Sequence, residues 1–378
     1  MEELKVYIQN NKDLLWKTLK ELCLIPAPSH KEEKRAQYCR AWLERYGAKG
    51  VYIDGAGNVV FPISCDGSEE ITVVAAHTDT VFPDVEPMPY QDDGERILCP
   101  GVGDNTASLA VLLLTAKYFI EKGIKPKKGI LFVCNSGEEG LGNLKGTRQI
   151  FKDWMGRIGQ FLSLDSTFDR IADKCVGSHR YAVKVQTAGG HSYLAFGNAN
   201  AIAELSEMIG DIYGIEVPKR GNSRTSYNVG VINGGTSVNT IAQAAEMLCE
   251  YRSDDIECLE MMEKAFEGVF EKARSRGVNL QVERIGERPC MGEVDPEKVE
   301  KMARTCEGII REVTGLAVTR ESSSTDCNIP LALGIPALCV GVYRGAGWHT
   351  RNEWIEKASL SLGVEVAVRC LSELTEEI

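Results

Sequence analysis

Short apolar runs that each end on an acid or an imidazole constrain this chain more than any other feature. ITVVAA (71–76) leads into His77-Thr78-Asp79, GILFVC (129–134) leads toward Gly137-Glu138-Glu139-Gly140-Leu141, and FLSL (161–164) ends at Asp165. Runs apolar at successive rather than alternate positions belong to strands covered on both faces, the middle of a sheet flanked by helices. From Thr106 a strongly apolar helix pattern continues to Gly123, where glycine ends it. Cys99-Pro-Gly-Val-Gly-Asp104-Asn105 precedes that helix, and a later run, Ala337 to Val342, is followed by Gly345-Ala-Gly-Trp-His349-Thr350. In open α/β sheets, ligands bind in the loops at the carboxyl ends of strands. The pattern therefore gathers His77, Asp79, Asp104, Glu138, Glu139, Asp165 and His349 on one rim.

Two adjacent carboxylates at the mouth of a buried strand are costly, because like charges raise each other's pKa and burial adds to the cost. A cation cluster would remove it, and two histidines with several carboxylates suit zinc or a similar divalent ion. Taken one at a time, these residues fit blander roles: Glu138 and Glu139 a solvated turn, each histidine a hydrogen-bonded core or surface residue. Only their shared topological position favours a metal centre.

Composition closes off other classes. A net charge of −11 with no basic block argues against nucleic-acid binding, since Lys125 to Lys128 is only a short cluster. No stretch approaches the roughly 18 apolar residues of a membrane helix, and the first 22 residues alternate acids and lysines with apolar positions, unlike a signal peptide. The 13 cysteines are scattered singly without a Cys-x-x-Cys pair. That usage fits a reducing cytoplasm rather than a disulfide framework or cysteine-ligated zinc. A nucleophile elbow, a Walker phosphate loop and G-x-G-x-x-G are all missing from the sequence.

At 378 residues the chain is long enough for two domains. Residues 1–46 predict two helices broken at Leu24-Ile-Pro-Ala-Pro-Ser29, with Ser29 as N-cap of the second and Glu32 completing a capping box. Between Arg180 and Glu287 the pattern changes to β-α-β-β-α-β, the split βαβ order of ferredoxin-like sheets. The expected division is residues 1–178 with 289–378 as one α/β domain, and 179–288 as an insertion.

AHTDTV, GVGDN, SGEEGLG, LDS and GAGWHT occur in that order, and with them the chain resembles the M20 metallopeptidases, the peptidase T, carboxypeptidase G2 and aminoacylase-1 superfamily. GGHSYLAFGNANAI, GGTSVNTIA and SSSTDCNIPLALGIPALCVG extend the resemblance over almost the whole chain, nearest to peptidase T-like members. It implies an α/β, mixed-sheet zinc-peptidase catalytic domain carrying an inserted ferredoxin-like lid and dimerisation domain. It further implies two divalent ions, zinc first with cobalt or manganese as alternatives: His77, Asp104 and Asp165 around one, Asp104, Glu139 and His349 around the other. Asp79 would orient His77, Glu138 would be the general base for the attacking water, and His191 of the lid would stabilise the oxyanion. Asn239 and Arg252 are implied substrate contacts, although Arg252 stands near Asp254 and Asp255 and is equally a structural ion-pair residue. Many members have a proline shortly after the lid histidine, where this chain has Leu194-Ala-Phe196.

The activity so implied is hydrolysis of a peptide or amide bond in a small peptide, as an aminopeptidase of di- or tripeptidase type, in a cytoplasmic homodimer joined through the lid. Removal of an acyl group from an N-acyl amino acid, or a carboxypeptidase activity, would use the same centre with a different pocket. An inert metal-binding relative is the non-enzyme alternative, and the presence of Glu138 with every implied ligand argues against it.

Overall fold

In the computed structural model, which describes residues 2–375, Ile71–His77 and Gly129–Asn135 are strands buried at every position. They pair in parallel with one another, and Ile71–His77 pairs in parallel with Ile158–Leu164 on its other side. Ala337–Val340 continues the parallel set against Ile158–Leu164. Val59–Ile63 and Tyr52–Ile53 close one edge in antiparallel sense. Arg170–Cys175 is antiparallel to Ala337–Val340, and Thr319–Ser323 lies parallel to Arg170–Cys175 at the other edge. The result is a mixed eight-stranded sheet.

The helix Ser108–Glu121 is buried on almost every side and packs on Ile71–His77 and against the helices Glu2–Cys23 and Ser359–Leu374. Each of its buried leucines, Leu109, Leu112, Leu113 and Leu114, contributes about 1.5–3 kcal/mol. A small antiparallel sheet joins Gln91–Asp92, Arg96–Leu98, Trp354–Glu356 and Gly345–Ala346. It matters for the site because it brings the segment before Asp104 beside the hairpin that carries His349. Two strands, Arg170–Cys175 and Thr319–Ser323, extend the sheet beyond those legible in the sequence.

The chain forms two compact units, one running to Cys175 and resuming at Glu293, the other spanning Val176–Gly292. The second unit is a four-stranded antiparallel sheet in the order Thr225–Gly234, Ala244–Ser253, Gly177–Gln186, Asn279–Arg288. Helices Ala201–Tyr213 and Ile256–Ser275 contribute to its core, where Leu205, Met208, Met262 and Phe266 meet Val183, Met247 and Tyr251. Both helices are capped by the residue just before them, as Asn200 accepts from the Ile202 amide and Asp255 from the Cys258 amide.

The second helix of the chain departs from its expected start. It spans Glu33–Arg45, with Glu32 at the N-cap position making no side-chain cap, and the Ser29 hydroxyl is used elsewhere. All 13 cysteines are buried, and none is joined in a disulfide. Among the described residues no helix is long and apolar enough to cross a membrane.

Candidate metal centre

His77 is the last residue of its strand and is 1% exposed. Its Nδ1 lies 3.0 Å from the Asp79 backbone carbonyl and 3.4 Å from Asp79 Oδ1. Its Nε2 faces outward, 3.0 Å from Asp104 Oδ1 and 3.8 Å from Asp165 Oδ2. Asp165 follows the Ile158–Leu164 strand, its amide donating to the Val340 carbonyl at 3.0 Å. Asp104 sits in the irregular turn Val102–Ala107 that leads into the helix Ser108–Glu121, and its peptide bond to Asn105 is cis.

The other oxygen of Asp104 points to a second imidazole. His349 Nε2 is 3.1 Å from Asp104 Oδ2 and 3.5 Å from Glu139 Oε1. His349 adopts a left-handed backbone, φ 61°, at a cost of about 1–2 kcal/mol that non-glycine residues rarely bear. It is also the most open member of the group, with a side chain 57% exposed. Glu139 Oε1 is buried and has no hydrogen-bond donor. His77, Asp104 and Glu139 present donor atoms within 4.8 Å of one another, a candidate His/Asp/Glu metal site.

Asp79 organises the acidic turn as well as the first histidine. Its Oδ1 accepts the Glu138 amide at 3.0 Å, and its Oδ2 accepts the Glu139 amide at 2.9 Å and the Ser29 hydroxyl at 2.7 Å. Ser29 also reaches the Glu139 carbonyl at 3.2 Å. Its hydroxyl thus serves the acidic turn, where the sequence pattern alone assigned it to a helix cap. Gly137 supports the same turn from below: its φ is +66°, and a Cβ there would lie 2.6 Å from Lys145 Cγ. Behind these groups, the fully buried Arg35 donates to the carbonyls of Leu22, Ile25 and Thr78 and to the Thr106 hydroxyl.

Electrostatics separate the carboxylates sharply. Asp79 is driven upward by burial, but His77 and the donors around it prevail and hold its carboxyl down at about 2. Burial also opposes ionisation of Asp104, yet contacts to His349 and His77 keep it well below the usual carboxylate range. Glu139 goes the other way, pushed up to about 8 by burial and by the Asp104 charge, with Glu138 adding to the push. Asp165 is raised for the same two leading reasons. His349 is raised to about 10 by Asp104 and Glu139, and His77 is raised despite its burial, by Asp104 and Asp79. Without cations, protons on the imidazoles and on the raised carboxyls offset the negative charge. Replacing protons by divalent ions suits this donor set, whose mixed nitrogen and oxygen atoms fit zinc, cobalt or manganese.

Three further residues singled out in the sequence lie in the second unit. His191 sits on the short strand Gly190–His191, which pairs with Thr240–Ile241 in the register His191↔Thr240. Its Nδ1 accepts from the amides of Tyr193 and Leu194 at 3.2 and 3.4 Å. A neutral ring so engaged carries its proton on Nε2. Asn239 is adjacent, its carbonyl accepting the Ser192 amide at 2.9 Å. Arg252 forms a forked pair with Glu250, at 2.8 and 3.1 Å, instead of meeting Asp254 or Asp255. Those two acids accept the Arg224 amide and cap the helix Ile256–Ser275.

Glu353 and Tyr343 are buried participants that pattern reading passed over. Glu353 is 1% exposed and Tyr343 is fully buried. Glu353 accepts three backbone amides of the Asp104 segment, and the Tyr343 hydroxyl accepts the Trp348 indole N–H at 2.8 Å. Glu353 is the first acid after His349 in sequence, and that proximity is the one signal available to find it.

Comparison with known proteins matches residues 73–373 to Peptidase family M20/M25/M40. An uncharacterised protein of Bacillus subtilis, YqjE, is 24% identical over 393 residues, covering 96% of this chain and 99% of that one. The crystal structure of aminopeptidase PepT from Bacillus cereus superposes with a TM-score of 0.73 at 21% identity, covering 96% of this chain and 99% of its own. A tripeptidase from Staphylococcus aureus superposes with a TM-score of 0.76 at 21% identity, covering 97% and 99%.

Proposed function

The chain belongs to peptidase family M20/M25/M40, and from that premise we propose that it is a two-metal hydrolase of peptide bonds in small peptides, an aminopeptidase of di- or tripeptidase type. The observation that carries the two-ion reading is the division of the Asp104 carboxylate. Oδ1 faces His77 with Asp165 beyond it, and Oδ2 faces His349 with Glu139 beyond it. A carboxylate so placed would be able to hold two cations, with His77 and Asp165 completing one set and Glu139 and His349 the other. The orphaned oxygen of Glu139 supports the fit, because a buried acceptor without a donor calls for a cation.

Two divalent ions there, zinc in the first instance, would lower the pKa of a shared water and polarise the scissile carbonyl. The rest is done by the chain. Asp79 fixes the His77 ring through Nδ1 and fixes the main chain of Glu138 and Glu139 through both carboxylate oxygens, so ligand and base are set from one point. Glu138, 6% exposed beside Glu139, takes the proton of the attacking water and returns it to the leaving amine. His191, with Nε2 as the donor end, stabilises the oxyanion. Asn239 and Arg252 contact the substrate, and Arg252 would exchange its Glu250 partner for a substrate carboxylate. The names of the PepT and tripeptidase neighbours support short peptides as substrates.

Glu138→Ala tests the assignment of the base. It is expected to retain both metals by elemental analysis while turnover falls by several orders of magnitude; loss of both metals would overturn it. Di- and tripeptides with free or blocked amino ends, assayed beside N-acyl amino acids, test the substrate. Cleavage confined to N-acyl amino acids, or to blocked peptides from the carboxyl end, would replace the aminopeptidase reading. A homodimer joined through the second unit is also proposed, because the strand Thr225–Gly234 lies at the sheet edge with Val231 and Ile232 exposed. A monomer by light scattering would remove it. Thirteen cysteines without a disulfide support a reducing compartment such as the cytoplasm.

A further inference from the structure

Glu353 has two oxygens and three backbone amides to serve. Oε2 accepts the Gly101 amide at 2.7 Å, while Oε1 accepts the Gly103 amide at 2.7 Å and the Asp104 amide at 2.8 Å. The segment it grips is an irregular turn at the start of a helix, where amides lack intrahelical acceptors. One of the three belongs to Asp104 itself, the residue that faces both imidazoles. With that amide held, only two side-chain torsions separate the fixed backbone from the carboxylate that would lie between two ions.

The grip is specific. A Cβ on Gly103 would stand 2.8 Å from the Tyr343 hydroxyl and 2.9 Å from Glu353 Oε1, so glycine is required for the carboxylate to approach. Glu353 is itself anchored. Its carbonyl accepts the Cys99 amide at 3.2 Å, and the strand that follows pairs Trp354 with Leu98. On the other side, Trp348, adjacent to His349, donates to the same Tyr343 hydroxyl that crowds Gly103. The Asp104 turn and the His349 hairpin are thereby referenced to one buried knot.

We propose that Glu353 is a positioning residue for the metal centre: through three backbone amides it sets the Asp104 carboxylate between the two cation positions and ties the Asp104 turn to the hairpin bearing His349. This rests on the reading of Asp104 as a bridge. A glutamine cannot substitute, since its single oxygen leaves an NH2 group facing an amide donor.

The experiment is cobalt titration of the metal-depleted full chain, followed by visible absorption, for wild type and Glu353→Gln, with circular dichroism to establish folding. Fewer than two cobalt ions per wild-type chain would refute the bridge itself, whatever the variant does. With two bound to wild type, the folded variant is expected to bind cobalt about 10- to 100-fold more weakly at one or both positions. Its visible spectrum should be altered, and kcat should fall at least about 10-fold with KM within about threefold, as a displacement of reacting groups implies. A purely structural Glu353 would lower the melting temperature yet leave cobalt affinity, spectrum and kcat of the folded variant as in wild type, and that result overturns the proposal. Should Glu353→Gln not fold, Glu353→Asp carries the same comparison, keeping the charge one methylene short of the amides. Failure of both to fold would assign Glu353 to the fold instead and equally overturn it.

Discussion

Replacing Asp79 by asparagine changes little volume, and its consequences can be worked from the contacts of the carboxylate. Asp79 is completely buried and accepts from the Glu138 amide, the Glu139 amide and the Ser29 hydroxyl. An asparagine offers one oxygen, so whichever way its amide turns, an NH2 group confronts a backbone N–H. Losing a hydrogen bond to a charged acceptor costs about 1.5–3 kcal/mol. The depressed pKa of the carboxyl supplies a second figure. The carboxyl is held at about 2 against an ordinary 3.8, which at 1.36 kcal/mol per pKa unit amounts to about 2 kcal/mol favouring the ionised form. The two figures agree, and about 2 kcal/mol lowers the melting temperature of a domain this size by about 4–8 °C. Melting should be followed by circular dichroism on chelated protein, so that metal does not contribute. The sign of the pH effect is definite. A depressed folded pKa stabilises above the unfolded value and is lost as pH falls toward the folded one. The gap between wild type and Asp79→Asn should thus be full above pH 5 and shrink between about pH 4 and pH 2. A variant melting within 1 °C of wild type at pH 7 in the chelated state (roughly 0.3–0.5 kcal/mol by the same conversion) would refute the view that this carboxylate holds the acidic turn.

Other consequences are more direct. Chelation should abolish peptide hydrolysis, and zinc, cobalt or manganese should restore it; activity surviving exhaustive dialysis against chelator would contradict the two-metal reading. Because His349 is raised to about 10 and Glu139 to about 8 in the metal-free protein, both hold protons at pH 7 that ions must displace. Metal affinity should then rise with pH through 8, and titration calorimetry in buffers of different ionisation enthalpy should show protons released; a buffer-independent enthalpy would refute it. Gly137→Ala must place a side chain at φ +66° and displace Lys145, which pairs with the nearly buried Glu32 at 3.0 Å. A loss of at least about 1–2 kcal/mol should appear as a lower denaturation midpoint with an unchanged m-value, accompanied by reduced turnover.

The sequence carried the parts of this architecture that repeat locally. Runs such as ITVVAA and GILFVC read as buried strands because their neighbours on both faces are apolar, and His77, Glu138, Glu139 and Asp165 follow from strand polarity. The ferredoxin-like order of the second unit was equally legible, since each element has its own period and cap. What escaped depends on partners distant in sequence. Ser29 followed by Glu32 satisfies a local capping pattern, but its hydroxyl finds stronger acceptors in Asp79 and Glu139, 50 and 110 positions away, and tertiary context overrides the cap. Arg35 looks like an ordinary helix-surface residue and is instead buried among carbonyls. Glu353 reads as a charged residue in a polar loop, and nothing local announces the three amides about 250 positions earlier. Arg170–Cys175 and Thr319–Ser323 form a polar sheet edge without the apolar run that marks the central strands.

The two carboxylates Asp79 and Glu139 show how one buried rim produces opposite behaviour. Both are nearly inaccessible to water, and burial alone would push both upward. Asp79 is surrounded by donors, two amides, a hydroxyl and an imidazole, so its charge is already answered within the protein and it stays ionised. Glu139 faces Asp104 and Glu138, and its Oε1 makes no hydrogen bond, with only the His349 imidazole near it at 3.5 Å. Within the chain that imidazole answers part of its charge, and burial beside two acids still leaves it raised to about 8, where a proton or a cation completes the balance. The same distinction supports the proposed roles: an acid satisfied by backbone amides is suited to fixing geometry, and an acid opposed by other acids is suited to holding a cation. Glu138 and Glu139 are adjacent in sequence and share Asp79 as their anchor, so the positions of the proposed base and the proposed ligand are not independent. Any change that moves Asp79 must displace both together, which is why its loss should register in metal affinity and in kcat at once, whereas loss of the Glu138 carboxylate should register in kcat alone.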